Sequence, residues 1–277
     1  MVKKLTSVLL ALLLAASAFI YSAAETTDVS ETVSSEQESG AETSSGDESQ
    51  TSEAHTVTSF EELRDAILDS YENIVLNTDI SFSSAITLPS GAKITLSGSG
   101  SIRDASFTGS GSISISAVTI TSLTVGDSAA AALDGSTGAL DASGDCTVKI
   151  TGDVTGIKGT VGVTVSDTAV VTVEGSVTGG AGGFGDGIYA AGSGKIIISG
   201  SVTGGESGSS GRAGYGIRFS NSSKNSIEIG GSVTGGAGGS DIGGTGIAFA
   251  DSKAGVTVKG TLSGGTGKSG GAGTEMK

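Results

Sequence analysis

The phrase Gly175-Ser176-Val177-Thr178-Gly179-Gly180 returns at Gly200–Gly205 and Gly231–Gly236, then once more, altered, as Gly260-Thr261-Leu262-Ser263-Gly264-Gly265. The successive spacings are 25, 31 and 29 residues. A phrase that recurs while the distance between copies changes marks an equivalent station on each turn of a coil, with insertions tolerated between stations. Ahead of each copy stands an alternating apolar pair: Val171 and Val173, Ile196 and Ile198, Ile227 and Ile229, Val256 and Val258. An earlier copy is Val148, Ile150 and Val154. A second alternating signal sits between copies, at Leu140 and Ala142, Val163 and Val165, Ile188 and Ala190, Ile217 and Phe219, and Ile247 and Phe249. Period two buries one face of a strand, and segments this short cannot stand alone as hairpins.

These signals predict an all-β parallel β-helix (β-solenoid). Coils repeat about every 4.8 Å, the strand-to-strand distance, so equivalent residues stack into columns. Ile188, Ile217 and Ile247 should form one inward column. Ala190, Phe219 and Phe249 should form a second, and Val177, Val202, Val233 and Leu262 a third. Each buried large aliphatic side chain contributes roughly 1.5 to 3 kcal/mol, which lets a chain with only 4% aromatic residues build a core. The variable spacing falls in the glycine-rich stretches 179–187, 204–216 and 235–246, read as loops on one side, with glycine accepting positive φ at their corners. Either a variable binding edge or low-complexity drift accounts for them.

Residues 55–102 differ. Ser59-Phe60-Glu61-Glu62 reads as a capping box that opens a short helix through about Leu68, with Phe60, Leu63 and Ile67 on one face. The apolar runs at Ile74–Leu76, Ile86–Leu88 and Ile94–Leu96 then start the coils. Such a helix caps the first coil, whose open edge would otherwise pair with other chains. After Leu262 the chain continues in glycine-rich sequence to Lys277 with no recognisable cap. This leaves an exposed coil open to self-association, or a fragment truncated at its C-terminus.

The start of the chain, Met1-Val2-Lys3-Lys4, an apolar stretch from Val8 to Ile20 and then Ser22-Ala23-Ala24, has the layout of a signal peptide at 1–24. That run is short for a bilayer span, so the mature chain is expected to carry no membrane span and to be secreted or on the cell surface. Residues 25–54 hold nine acids and no Lys or Arg among Ser, Thr and Gly, the composition of a disordered tether. The domain at 55–277 has twenty acids against thirteen bases, which argues against nucleic acid as a partner. Cys146 is the only cysteine, so no internal disulfide forms, and it is read as a half-buried strand residue. His55 is read as a linker residue.

The stretch from Val57 to Ile102, with its "TSFEELRDAI" helix, "NIVLNTDI" strand and "AITLPSGAKITLSGSGSI" coils, and the later "IxIxGSVTGG" turns, resembles right-handed parallel β-helix proteins of the pectate-lyase-like superfamily, and among them the bacterial surface pectate-lyase-like adhesive domains. The resemblance implies a right-handed coil and an extracellular, carbohydrate-facing or adhesive role. Its enzymes use a trio of aspartates, or Ca²⁺-binding acids with an Arg or Lys base. Asn77-Thr78-Asp79 matches the first hydrolase motif, but no paired Asp-Asp, Gly-His-Gly or Arg-Ile-Lys follows, so no catalytic residue is assigned. Asp127, Asp134, Asp141, Asp145, Asp153 and Asp167 read as turn acids, with weak Ca²⁺ binding as the alternative. Gly182 to Gly187 nearly matches a Ca²⁺-binding nonapeptide, but Asp186 falls one position early. Gly267-Lys268-Ser269 imitates a phosphate loop, with Leu262 where the first glycine belongs.

Alternation turns Tyr189 and Arg218 outward on adjacent coils, with Tyr215 and Phe184 in the loops just before their strands. An aromatic face beside a guanidinium holds a sugar ring or anionic glycan; the competing reading is ordinary surface bracing. The expected function is an extracellular, adhesin-like, carbohydrate-binding scaffold without catalysis, whose partner is a polysaccharide or cell-surface glycan. Two alternatives stand: a polysaccharide lyase or hydrolase acting on acidic glycans, and a purely structural, self-associating surface protein.

Overall fold

The structure, a computed structural model, describes residues 53–208, 211–250 and 253–276. The expected signal peptide and all but the last residues of the expected tether lie outside the described residues. Two parallel sheets make up the fold, one of ten strands and one of sixteen. The ten-strand sheet is stacked in chain order from His55–Val57 to Gly255–Val258, one strand per coil. Its inward pairs lie in register, Val148 on Val171 on Ile196 on Ile227 and Ile150 on Val173 on Ile198 on Ile229. All eight are buried. The chain is therefore a parallel β-helix, as the alternation predicts.

Each side chain of the recurring phrase has a separate task in the stack. The serine hydroxyl accepts the backbone N–H of its counterpart one coil on: Ser201 N to Ser176 Oγ at 3.1 Å, Ser232 N to Ser201 Oγ at 3.0 Å and Thr261 N to Ser232 Oγ at 3.0 Å. The valine points inward, so Val177, Val202 and Val233 stack in register with no exposure, and Leu262, on the last such strand, is 38% exposed. The threonine points out and forms the ladder Thr155, Thr178, Thr203, Thr234.

The two glycines that end the phrase correct the reading of the loops. In the coil that contains Thr137–Ala142 the second sheet has one continuous strand, paired at Thr137 with Val154 and at Leu140–Ala142 with Val163–Val165. Later coils split that strand, and the glycine-rich stretches are inserted between its halves. Their stems are zipped together along the stack: Gly205 N donates to Gly185 O at 2.6 Å, Gly214 N to Gly205 O at 2.9 Å, Gly236 N to Gly214 O at 2.9 Å, Gly244 N to Gly236 O at 2.9 Å and Gly265 N to Gly244 O at 2.7 Å. A Cβ on Gly214 would lie 1.9 Å from Gly185 O, and one on Gly244 would lie 1.8 Å from Gly214 O. Close backbone approach demands glycine at these stems, while farther out Gly182, Gly211 and Gly239 take the expected positive φ, at 99°, 124° and 57°. Farther out the loops stack on one another, Gly182 N on Glu206 O and Ser207 N on Ala237 O, into a ridge on one side of the coil.

The helix Phe60–Leu68 forms where expected and buries Phe60, Leu63, Ala66 and Ile67, with Phe60 against Phe82 at 5.1 Å between ring centroids. Ser59 Oγ accepts Glu62 N at 3.1 Å. The Glu62 carboxylate turns to Thr58, accepting its N–H at 2.7 Å and its hydroxyl at 2.8 Å, so the capping box closes one residue early. Those bonds hold the Glu62 carboxyl below its usual range.

Three local readings change. His55 is no linker residue: it lies in the strand His55–Val57 and stacks on Tyr71, with ring centroids 4.3 Å apart. Cys146 is fully buried and stands just before the strand Thr147–Ile150. Backbone bonds link Ala129, Cys146, Ala169 and Gly194 to the strand one coil on, so the thiol occupies a column of small residues at a coil corner. Burial raises its pKa. Finally, the glycine-rich tail contains another strand, Thr274–Met276, paired parallel with Ile247–Phe249.

Candidate functional site

The second sheet places Val163, Ile188, Ile217 and Ile247 in one inward column. The residues after them, Thr164, Tyr189, Arg218 and Ala248, therefore form an outward column. Side chains of unequal length at one coil spacing make this surface uneven. Arg218 lies over Tyr189, its Cζ 4.4 Å from the ring centroid. Ala248 follows, its short side chain only 9% exposed, and forms the floor of a notch. The result is an open groove of about 410 Å³, walled by Tyr189, Tyr215, Arg218 and Phe249 with Ala248 among its lining residues. Phe249 is partly buried and stacks on the buried Phe219, at 5.0 Å between centroids and 10° between planes. This fixes one wall to the core.

Asp186, Tyr215 and Thr245 occupy equivalent positions two residues before Ile188, Ile217 and Ile247, linked by Gly187 N to Tyr215 O and Gly216 N to Thr245 O. Asp186 is 1% exposed. One carboxylate oxygen accepts the Tyr215 N–H at 2.9 Å and the other accepts Arg218 Nε–H in a short ion pair. Burial pushes the Asp186 carboxyl above the ordinary range, outweighing the downward pull of Arg218, the Tyr215 N–H and Arg212. A second cation–π pair sits in the adjacent loop: Arg212 Cζ is 4.4 Å from the Tyr215 ring centroid, and Arg212 donates to Thr245 Oγ1 at 3.2 Å.

Of the residues expected at a binding surface, Tyr189, Arg218 and Tyr215 meet at the groove. Phe184 does not line it; this side chain is 67% exposed on the 179–187 loop. Asp186, Ala248 and Phe249 were not assigned to the surface from sequence. The signal for Asp186 lies in the aligned tetrapeptides Gly-Asp-Gly-Ile, Gly-Tyr-Gly-Ile and Gly-Thr-Gly-Ile, which put an acid directly beneath the tyrosine of the next coil.

All but one of the acids considered for catalysis or calcium accept bonds from neighbouring coils. Asp79 accepts the N–H and hydroxyl of Ser101 at 3.1 and 2.7 Å. Asp153 accepts Ser176 N at 2.7 Å and Asp167 accepts Gly144 N at 3.1 Å. Asp127 and Asp167 take left-handed backbone angles at corners, φ 53° and 54°, a conformation short acids tolerate. Asp141 is on a strand, where burial raises its pKa. Among the described residues no group of three or more His, Cys, Asp or Glu side chains is gathered for a metal ion, and no helix is long and apolar enough to cross a membrane. No protein family, curated protein or solved structure matches this chain.

Proposed function

We propose that this chain is an extracellular, adhesin-like scaffold that binds carbohydrate without transforming it. The observation that carries the reading is the groove: an aromatic and guanidinium wall beside a notch at Ala248, on a rigid stack. Sugar rings bind on aromatic faces, and an arginine with spare N–H donors satisfies their oxygens. The Arg218 side chain is 41% exposed although its Nε is bound to Asp186, so it is both oriented and reachable. The leader-like residues 1–24 and the acidic stretch after them support display outside the cell, where many weak contacts add through avidity.

Retention of the mature chain on an array of neutral and acidic oligosaccharides tests this. Tyr189→Ala with Arg218→Ala should abolish retention, and Ala248→Trp should do so by filling the notch, with the circular dichroism of Ala248→Trp unchanged. Full retention by both variants rejects the site. A self-associating role is the second reading, supported by the last coil, where Val256 and Val258 are only partly buried and Leu262 is 38% exposed. Sedimentation over a range of concentration separates the two.

A further inference from the structure

Asp186 touches the groove only through other residues, yet it fixes two of its walls. We propose that Asp186 is the positioning residue of this binding groove and makes its grip acid-labile, because protonation of this one carboxylate releases Arg218 while Tyr215 stays bound. This rests on reading the groove as a binding site. Asp186 is on the 179–187 loop, Tyr215 on the 204–216 loop and Arg218 on the strand Ile217–Phe219. A single buried side chain thus ties two loop stems to a strand of the next coil through Tyr215 N and Arg218 Nε.

Stability alone does not explain such a group. Burial raises the Asp186 pKa even with its partners present, so the ionised carboxylate loses more in desolvation than the pairing returns, the usual balance for a buried ion pair. What the charge does provide is direction. An ionised carboxylate only accepts, so it draws Nε–H of Arg218 inward, holds the guanidinium over Tyr189 and leaves the terminal nitrogens uncommitted to Asp186. Protonated, it keeps one acceptor oxygen for Tyr215 N, loses its charge and offers an O–H where Arg218 has no acceptor.

The charged and titratable groups around Asp186 are Arg218 from its strand, with Tyr189 beneath, and Arg212 and Tyr215 from the 204–216 loop. Asp241, on the following loop, accepts Gly211 N, and Glu206 is exposed. Asp186 is the one carboxylate among these groups that bonds both Tyr215 N and Arg218 Nε.

The test follows the Nε–Hε resonance of Arg218 in the full chain by nitrogen-15 NMR, from about pH 8 down to about pH 4, beside array retention of the same oligosaccharides at both ends. The wild type should show one transition at Arg218, at a pH above that of an ordinary carboxylate, and lose about tenfold in retention, the worth of one charge-assisted hydrogen bond. Asp186→Asn, isosteric and uncharged, should show the acid-form resonance and the weakened retention at every pH. An Arg218 resonance that ignores pH, or an Asn variant with the wild-type signal and retention, overturns the proposal. A clear Arg218 transition in a chain that retains no oligosaccharide at any pH upholds the positioning role and removes the carbohydrate reading.

Discussion

Gly214→Ala tests the stem zipper that holds the ridge to the coil. The added methyl would be 1.9 Å from Gly185 O, whereas Cβ atoms do not approach closer than 3.0 Å, so the two coils must part by about 1 Å at this point. Two bonds of 2.9 Å, Gly214 N to Gly205 O and Gly236 N to Gly214 O, lie in the path of that movement. Gly214 is buried, and each polar group left without a partner costs about 1 to 3 kcal/mol. The alanine recovers about 0.4 to 1 kcal/mol by stiffening the unfolded chain. A net loss of about 1 to 6 kcal/mol follows, read as a lower melting temperature by circular dichroism. Because neighbouring coils contribute separately to a solenoid, amide exchange at Gly205 and Gly236 should accelerate before distant coils respond. Gly255→Ala is the matched control: its Cβ would meet nothing within 4 Å, so the change should stay within about 0.5 kcal/mol. If Gly214→Ala melts together with Gly255→Ala, glycine at the stems is a matter of composition and the close-approach explanation fails.

Other substitutions probe the remaining contacts. Ile217→Ala empties the middle of a column in which Ile188, Ile217 and Ile247 are at most 3% exposed, and should cost about 2 to 5 kcal/mol in urea unfolding. Arg218→Ala leaves the Asp186 carboxyl buried without its partner and, with the Arg218 side chain 41% exposed and the carboxyl able to protonate, should cost about 1 to 3 kcal/mol, whereas Asp186→Asn should be close to neutral. The raised Asp186 pKa means that folding favours the protonated form, so this group's contribution to stability is present in acid and is lost as pH rises through its folded value. The melting temperature of Asp186→Asn relative to wild type should therefore climb from about pH 4 to about pH 8; a falling difference refutes the assignment. Ser59→Ala removes the acceptor for Glu62 N and should lower stability by about 0.5 to 2 kcal/mol.

Sequence alternation carried the inward columns because burial of one strand face is a local rule, repeated in every coil. The helix Phe60–Leu68 was legible for a similar reason, with an N-cap and an apolar stripe lying within ten residues of one another. The split of the second-sheet strand was not. Its halves, such as Val202–Thr203 and Ile217–Phe219, are separated in sequence by a glycine stretch of variable length, and only the three-dimensional stack shows that Thr137–Ala142 spans both. The full burial of Cys146 is not legible in sequence, because it depends on a corner column of small residues in other coils. Nearness to Ile188 in sequence points Phe184 to the surface patch, but loop side chains obey no period of two.

Tyr189 and Arg218, by contrast, were correctly paired from register alone, and the reason bears on how such folds acquire sites. A regular outward ladder like Thr155, Thr178, Thr203 and Thr234 repeats one side chain at each coil, so its surface is flat and encloses nothing. Concavity needs a break in the repetition. Here it comes from Ala248 following Arg218, and the buried charge of Asp186 comes from the same kind of departure, an acid where the next coils carry Tyr215 and Thr245. The positions that violate the column pattern are thus the ones that create the groove and orient its wall. Restoring regularity at Ala248 with a long side chain should erase the groove while leaving the stacking of Ile217 on Ile247 beneath it intact.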